Sequence, residues 1–310
     1  MAPTDSVSQL RARWTPELGA AAFRFLQGEE PGAELSATEQ DGRTYVDLRG
    51  IRIEQTQLDG AILRRVNLRW ATFRDVGLKG AKFLECNLSQ ASFGECYFRR
   101  ALLQDCEIVN TRFSACDFTN ASLERSRLDF STFTGCELRL EDIAFRNDAP
   151  PQTLARACRN LKLNAMSLGY FGDASELAYA ERTYDRQALR LRALAPNIPF
   201  LARTRALSLW LDAVLFNWIW GYGERPWRLT IAMIVAILAF GTLQYALDAV
   251  PGHDWWEHVY FSGITFFTIG YGDLAPVGFL PRLLSMIEGV SGIVFIGMLI
   301  ASATKKIMYR

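Results

Sequence analysis

Hydrophobic residues recur at every fifth position through much of the first half of the chain. From Leu48 to Ile143, twenty successive positions taken in steps of five carry only Leu, Phe or Ile. Neither the 3.6-residue period of a helix nor the two-residue period of a strand fits this pattern. A square coil with one five-residue segment on each face does fit it.

Small residues occupy a second register of the same period. Two positions before many of the large apolar residues stand Ala or Cys, at Ala61, Ala71, Ala81, Cys86, Ala91, Cys96, Ala101, Cys106, Cys116 and Ala121. The pattern resembles the pentapeptide-repeat family, which implies a right-handed quadrilateral β-helix over residues 41–146. Twenty segments make five coils, a rod of about 24 Å at the spacing of stacked strands. Residues 1–40 are expected to cap one end, because an open coil exposes unpaired strand groups.

The cysteines and charges of the repeat argue against metal and nucleic-acid binding. Cysteines ten residues apart fall on opposite faces of a coil, so we expect buried, reduced thiols and no zinc site. Between Asp41 and Asp142 the sequence has 15 basic and 15 acidic residues. This balance is unlike a DNA mimic and unlike a nucleic-acid-binding face. The repeat is therefore predicted to be a scaffold or regulatory module for a cytoplasmic protein partner.

Helical segments follow the repeat. Residues 147–199 are predicted to form an α-helical hairpin, with helices over residues 152–168 and 174–194. Residues 200–225 form an amphipathic helix and a turn, and the helix is rich in Trp, which suits a membrane interface. Its apolar stripe comprises Leu207, Trp210, Leu211, Val214, Leu215, Trp218 and Ile219.

Two apolar segments in residues 226–310 are long enough to cross a bilayer. Leu229–Leu247 and Leu283–Ala303 each contain at most one charged residue, and about 20 residues span the hydrocarbon core. Trp255–Phe267 lies between them and is too short to span. It is predicted to be a re-entrant helix whose C-terminal end directs partial negative charge toward a pore.

The segment after the short helix carries the candidate chemistry. Two glycines flank an aromatic residue, which allows backbone conformations that place successive carbonyls around one axis. The motif resembles the TVGYG filter of potassium channels, and the order of helices resembles the two-helix pore module of bacterial potassium channels. The resemblance implies K⁺ binding by Thr268, Ile269, Gly270, Tyr271 and Gly272. Asp273 and Glu288 are predicted to support the filter.

One chain supplies one filter segment, so a closed ring needs several chains. The resemblance implies a homotetramer that conducts monovalent cations through a lipid bilayer. Aligned on the filter, Gly292 is the predicted hinge of the last helix. The predicted pore-lining residues are Ile293, Ile296, Ile300 and Thr304. Trp218, Arg225 and Pro226 are the expected sites that couple the preceding segments to the pore.

Charge predicts the topology. Arg225 and Arg228 precede the first span, and Lys305, Lys306 and Arg310 follow the second. By the positive-inside rule both termini are cytoplasmic, in a multi-pass protein of the cell inner (plasma) membrane. Residues 1–30 contain no signal-peptide pattern.

The remaining chemistry is sparse. The sequence shows no catalytic constellation and no phosphate-binding loop, so we expect neither an enzyme nor a cofactor besides permeant K⁺. Both histidines, His253 and His258, are expected to be exposed in the outer loop. Glu288 is either a functional carboxylate or a hydrogen-bonded group behind the filter. The alternatives to a potassium channel are a weakly selective cation channel and a membrane-tethered scaffold that does not conduct.

Overall fold

The computed structural model describes residues 7–40, 42–145, 149–196 and 198–308, and the chain divides into two compact units, Met1–Leu191 and Arg192–Arg310. The predicted fold class is confirmed: a repeat β-helix is followed by helices, of which two are long and apolar enough to cross a membrane. The predicted repeat limits at residues 41 and 146, and both termini, lie outside the described residues.

Most strands of the first unit are parallel and pair with strands twenty residues away, whereas the first two strands form an antiparallel pair. Two sheets are each five strands deep, in the orders β12-β10-β8-β6-β3 and β13-β11-β9-β7-β4. Single bridges such as Asn67 to Asn87 and Gly77 to Tyr97 mark the other two faces of the coil. The strands are β1 Ala37–Gln40, β2 Arg43–Asp47, β3 Arg52–Gln57, β4 Ile62–Arg64, β5 Val66–Asn67, β6 Thr72–Gly77, β7 Lys82–Leu84, β8 Ser92–Gly94, β9 Leu102–Gln104, β10 Arg112–Ser114, β11 Ser122–Ser126, β12 Thr132–Thr134 and β13 Ile143–Phe145.

The five-residue register of large apolar side chains forms the core. All of these residues from Leu48 to Leu138 are buried, and Ile143, in the last strand, is half-buried. Equivalent phenylalanines stack from coil to coil, with Phe113 lying 5.1 Å from Phe93 and 5.0 Å from Phe133 between ring centroids. The repeat therefore confirms the inward register that the sequence predicts.

The corners of the coil have a feature that the hydrophobic pattern does not reveal. Two residues after most core positions the backbone has a positive φ, as at Arg65, Asp75 and Arg100. This conformation costs an L-residue about 1 kcal/mol or more, whereas glycine adopts it freely. Glycine fills only some corners, such as Gly60 and Gly80. The pairing of neighbouring coils holds the other corners in this conformation.

The repeat cysteines are buried and free, as expected. Each donates a weak hydrogen bond to a backbone carbonyl, for example Cys106 Sγ to Phe83 O at 3.3 Å. Burial raises the pKa of the Cys106 thiol well above its ordinary value. Outside the repeat, burial raises the pKa of Cys158 to about 12, with a further contribution from the Glu181 carboxylate. Cys106 and Cys158 are therefore protonated at neutral pH, and the six buried cysteines serve as packing groups.

Helices close the N-terminal end of the coil. Helices α1 (Val7–Ala12) and α2 (Pro16–Leu26) precede the first strand. Leu26 belongs to the same core cluster as Leu48. Arg13, between the two helices, donates hydrogen bonds of 2.8 Å to both carboxylate oxygens of Asp47. Residues before the repeat thus cover the first coil.

Helices α3 (Pro151–Ser167) and α4 (Phe171–Leu194) correct the predicted role of the hairpin. The sequence predicts a separate hairpin over residues 147–199, but α3 packs on β12 and its apolar residues join the core of the repeat. The Asn164 side chain donates to Cys136 O at 2.8 Å and accepts from Cys136 N at 2.9 Å. This amide satisfies strand groups that a further coil would otherwise pair with.

The second unit is helical. Helix α5 (Phe200–Trp220) is followed by a short turn, then α6 (Pro226–Ala246), α7 (Trp255–Phe266) and α8 (Phe279–Met308). By length and composition α6 and α8 could cross a membrane, and α7, of 12 residues, is too short. Asp254 and Glu257 form a reciprocal capping box that fixes the start of α7.

Candidate ion-conduction site

The predicted filter follows the end of α7 and has an unusual backbone. The φ angles of Thr268, Gly270 and Gly272 are 55°, 57° and 81°. Left-handed conformations thus recur at alternate residues over five positions. Glycine adopts them without strain, but Thr268 is β-branched and rarely does so. Such a conformation persists only where its surroundings impose it, and it is typical of functional sites.

Hydrogen bonds tie the start of the filter to α7. Ile264 O accepts from Ile269 N at 2.8 Å and from Gly270 N at 3.3 Å, and Thr268 N donates to the carbonyl of Thr265 at 3.0 Å. Beyond the filter, Tyr260 of α7 donates its hydroxyl to Asp273 at 2.9 Å. The position of α7 therefore sets the position of the filter, and Asp273 contacts that helix as a supporting residue would.

In a single chain, two side chains of the predicted filter are exposed. Ile269 is 51% exposed and Tyr271 is 71% exposed. In a pore module these side chains would need packing partners, because a filter holds its geometry only when the surrounding structure is rigid. The part of the chain that the structure describes does not cover these two side chains.

Helix α8 passes close to the end of α7 at Gly292. A Cβ atom placed on Gly292 would lie 1.8 Å from Phe266 O, which is far inside van der Waals contact. The helix continues through this residue without interruption. Gly292, the predicted hinge, is therefore a contact point that only glycine permits in this conformation.

The predicted pore-lining residues do not all share one environment. Ile293, Ile300 and Thr304 are exposed on α8. Ile296 instead packs against a cluster that contains Leu229, Met233 and Phe266. Gly297, one residue later, is exposed on the same stripe as Ile293 and Ile300. The structure thus brings three of the four predicted residues to an open face and turns the fourth toward α6 and α7.

Glu288 and His258 are both buried. Glu288 lies on α8 and contacts Ser262 of α7 and Gln244 of α6. The expectation that His258 is an exposed bystander is wrong. Its Nε2 accepts from Val250 N at 3.2 Å, its Nδ1 lies 2.7 Å from Asp254 O, and its ring packs edge-on against Tyr245. The position of His258 in the first turns of an apolar helix was the sequence signal for burial.

The turn before α6 contacts the end of α8. Trp220 Nε1 donates to Ser302 Oγ, and Lys305 forms an ion pair with Glu224. Both Trp220 and Glu224 lie in the stretch between about Leu207 and Arg228 where coupling is expected, but neither was among its leading candidates, Trp218, Arg225 and Pro226. Trp218, which was, is 69% exposed. The apolar stripe of α5 contains Trp218 and not Trp220, so the stripe does not identify the tryptophan that contacts α8.

Metal-binding chemistry is not evident in the described part of the chain. Within residues 7–40, 42–145, 149–196 and 198–308, no group of three His, Cys, Asp or Glu side chains could hold a metal ion. The backbone carbonyls and the hydroxyl of the filter are the groups suited to a monovalent cation.

Family models match both units. The model described as "ion channel" matches residues 232–309, which include α7, the filter and α8. Residues 44–80 match "pentapeptide repeats", with eight copies, and residues 78–149 match "pentapeptide repeat region". Neither description is that of an enzyme. The chain is a pentapeptide-repeat region fused to an ion-channel domain, as the sequence resemblances predict.

One curated relative matches the channel domain. It is the probable potassium channel protein 2 of Methanocaldococcus jannaschii, 35% identical over 81 residues. The match covers 25% of this chain and 24% of that protein, so the chain spans about a quarter of the length of its relative. Together with the two apolar helices, this match and the family model indicate a membrane protein with an ion-channel domain.

Solved structures match the repeat region. A pentapeptide repeat protein from the thylakoid lumen of Arabidopsis thaliana is 22% identical, with 37% of this chain and 75% of that chain covered and a TM-score of 0.28. Rfr23 from the cyanobacterium Cyanothece 51142 is 19% identical, with 32% and 80% covered and a TM-score of 0.21. The β-helix is established by the strand pairing of the chain itself.

Proposed function

We propose that the protein is a potassium-selective channel that conducts through Thr268, Ile269, Gly270, Tyr271 and Gly272. The single observation that carries the proposal is the alternation of left-handed residues at Thr268, Gly270 and Gly272, directly after a short helix that lies between two apolar helices. Such an alternation turns successive carbonyls toward one side, where a ring of them replaces the hydration shell of K⁺. The named relative supports potassium as the permeant ion.

The conducting form is a homotetramer in the lipid bilayer. One chain contributes one filter strand, and a ring of carbonyls needs several. The exposure of Tyr271 beside the filter supports this assembly, since another copy would cover this aromatic surface, and Ile293 and Ile300 on α8 would line the pore between the copies. Thr304 would stand near the cytoplasmic mouth, and the hinge function of Gly292 remains a prediction.

The repeat unit is a cytoplasmic regulatory or scaffold domain. The basic residues that flank both spans place both termini in the cytoplasm by the positive-inside rule. Buried, protonated thiols suit a reducing compartment. A protein partner is the ligand class that a rod of balanced surface charge fits, and nucleic acid is not.

Flux of K⁺ and Na⁺ into liposomes that contain the purified full chain tests the proposal. The natural chain is expected to pass K⁺ in preference to Na⁺. Gly270→Ala is expected to lower K⁺ flux by about tenfold or more, because each copy would place an L-residue at positive φ. The control is Gly263→Ala in α7, where an added Cβ meets only Ile237 at 3.9 Å.

Other outcomes have distinct meanings. Equal passage of K⁺ and Na⁺ would indicate a weakly selective cation channel. Folded, membrane-inserted protein without flux would indicate a scaffold. Unchanged flux and selectivity in the Gly270→Ala variant would exclude this segment as the filter.

A further inference from the structure

Three helices of the second unit meet at a buried polar cluster. Glu288 of α8, Ser262 of α7 and Gln244 of α6 are each 0% exposed. Gln244 Nε2 donates to Glu288 Oε2 at 2.8 Å, and Ser262 Oγ contacts Glu288 Oε1. Ser262 Oγ also lies 2.8 Å from Ile237 O on α6. These three side chains, termed here the carboxyl clamp, join every helix that surrounds the filter.

The count of protons in the clamp indicates a neutral carboxylic acid. Ser262 has one hydroxyl proton but contacts two oxygens, Ile237 O and Glu288 Oε1. If Glu288 were a carboxylate, it would accept the hydrogen bond of the Ser262 hydroxyl. Ile237 O would then face the oxygen of Ser262 with no hydrogen between them. A neutral Glu288 donates to Ser262, which then donates to Ile237, so that each contact holds one proton.

The surroundings of Glu288 offer no opposite charge to a carboxylate. Within the described part of the chain, Glu288 has no ion-pair partner. An unpaired buried carboxylate costs several kcal/mol, which favours the protonated form. Gln244 Oε1 is buried with no hydrogen-bond partner in the same residues.

The other titratable groups near the clamp are occupied elsewhere. On α7, His258 lies one turn before Ser262, and its ring nitrogens contact Val250 N and Asp254 O. On α6, Tyr245 packs against that histidine ring. Asp273 accepts the hydroxyl of Tyr260, and Arg282, at the start of α8, donates to the backbone of Pro276. The charged groups that begin or connect the helices, Arg228, Asp248, Asp254 and Glu257, make none of the clamp contacts.

The clamp is connected to the filter by a short path. Ser262 precedes Ile264 by two residues, and Ile264 O holds the amides of Ile269 and Gly270. Beyond Ile264, the carbonyl of Phe266 lies against Gly292 of α8. A change in the contact between Ser262 and Glu288 therefore moves the segment of α7 that anchors the filter.

We propose that Glu288 is a proton-bearing positioning residue, which together with Ser262 and Gln244 holds α7, and through it the filter, in the conducting geometry. The inference rests on the proposed channel function. When Glu288 loses its proton to bulk water, the hydroxyl of Ser262 turns to the carboxylate and Ile237 O loses its donor, so the contact that Ser262 makes between α7 and α6 is lost. Conduction therefore falls as the pH rises.

The first experiment is independent of conduction. Infrared spectroscopy of the full chain in lipid at neutral pH is expected to show the carbonyl stretch of a protonated carboxylic acid. Glu288→Gln is expected to remove that band, and Asp248→Asn, which alters an exposed carboxyl in the loop after α6, is expected to keep it. A natural chain without the band overturns the proposal.

The second experiment measures K⁺ flux in liposomes between about pH 6 and about pH 10, the range in which buried carboxyl groups ionise. The natural chain and Asp248→Asn are expected to lose flux by about tenfold across this range, the effect of one lost hydrogen bond. Glu288→Gln keeps a donor and an acceptor without a charge, so its flux is expected to stay high at every pH. Ser262→Ala is expected to lower flux even at the acidic end.

The outcomes separate this inference from the channel function. If Glu288→Gln follows the same pH profile as the natural chain, the positioning role is refuted while the channel stands. If the natural chain does not conduct at any pH, the proposed function fails, and the infrared band still decides whether Glu288 holds a proton.

Discussion

The two units of this chain bury their apolar side chains in opposite ways. In the repeat unit, Phe113 lies between the rings of Phe93 and Phe133 and is 1% exposed, because the coils below and above supply its neighbours. In the helical unit, Met286 and Ile293 of α8 are 70% and 61% exposed. The first unit completes its core within one chain. The second leaves large apolar faces that lipid or other copies of the chain must cover.

This difference predicts which changes are tolerated in each unit. A solenoid is stabilised by contacts between neighbouring coils, so a defect in its core affects one chain by itself. A helical unit with open faces depends in addition on assembly.

The largest effect is expected from a charge in the repeat core. Phe113→Asp would place an unpaired carboxylate between two aromatic rings, at a cost of several kcal/mol, which is comparable to the whole stability of a domain. Circular dichroism and limited proteolysis are expected to show an unfolded repeat unit. Arg112→Asp alters the adjacent, exposed residue of β10 and should leave the unit folded. Similar behaviour of the two variants would refute the inward register.

A smaller but still severe effect is expected in the helical unit. Gly292→Ala would force a methyl group against Phe266 O, at 1.8 Å in the present conformation, so α8 must move away from α7. We expect loss of assembly or of ion flux while the repeat unit stays folded, measured by size-exclusion chromatography in detergent and by liposome flux. Gly297→Ala is the matched control, since its Cβ would meet nothing within 4 Å in one chain. Normal assembly and flux of Gly292→Ala would show that the two helices separate at no cost.

The smallest effect concerns the N-terminal cap of the repeat. Burial opposes ionisation of Asp47, but hydrogen bonds from Arg13 and Arg49 outweigh it and lower the pKa of Asp47 from 3.8 to about 2. A depressed pKa contributes stability above the unfolded value, and this contribution is lost as the pH falls through the folded value. The repeat unit should therefore lose about 2 kcal/mol between about pH 4 and about pH 2.

Thermal unfolding of the natural chain and of Asp47→Asn over that pH range measures this contribution. The variant is expected to start less stable at neutral pH and to lose less stability on acidification. Asp59→Asn, which alters a carboxyl on the exposed surface of the first coil, serves as the control. Parallel curves for the natural chain and Asp47→Asn would show that the cap does not depend on this ion pair.

Particular residues show which buried positions the sequence pattern can predict and which it cannot. Leu48 through Leu138 could be assigned to the core because each lies at the same place in a repeat, and burial at one coil implies burial at the next. His258 could not be assigned in this way. Its burial results from Val250 and Tyr245, which lie beside it only after the chain has turned back between α6 and α7. Ile296 and Gly297 are neighbours on one helix, and only the packing of Leu229 and Phe266 decides which of them is covered.

The sequence by itself determined the features whose cause is local. The five-residue period specifies a coil, the length of the apolar segments specifies two spans, and the glycines of the filter specify where positive φ is possible. Tertiary structure alone decided that Asn164 closes the last coil, that Gly292 contacts Phe266, and that Gln244 and Ser262 share the carboxyl of Glu288. In each of these the two partners are distant in sequence, so no period links them. Their contact depends on how whole elements pack.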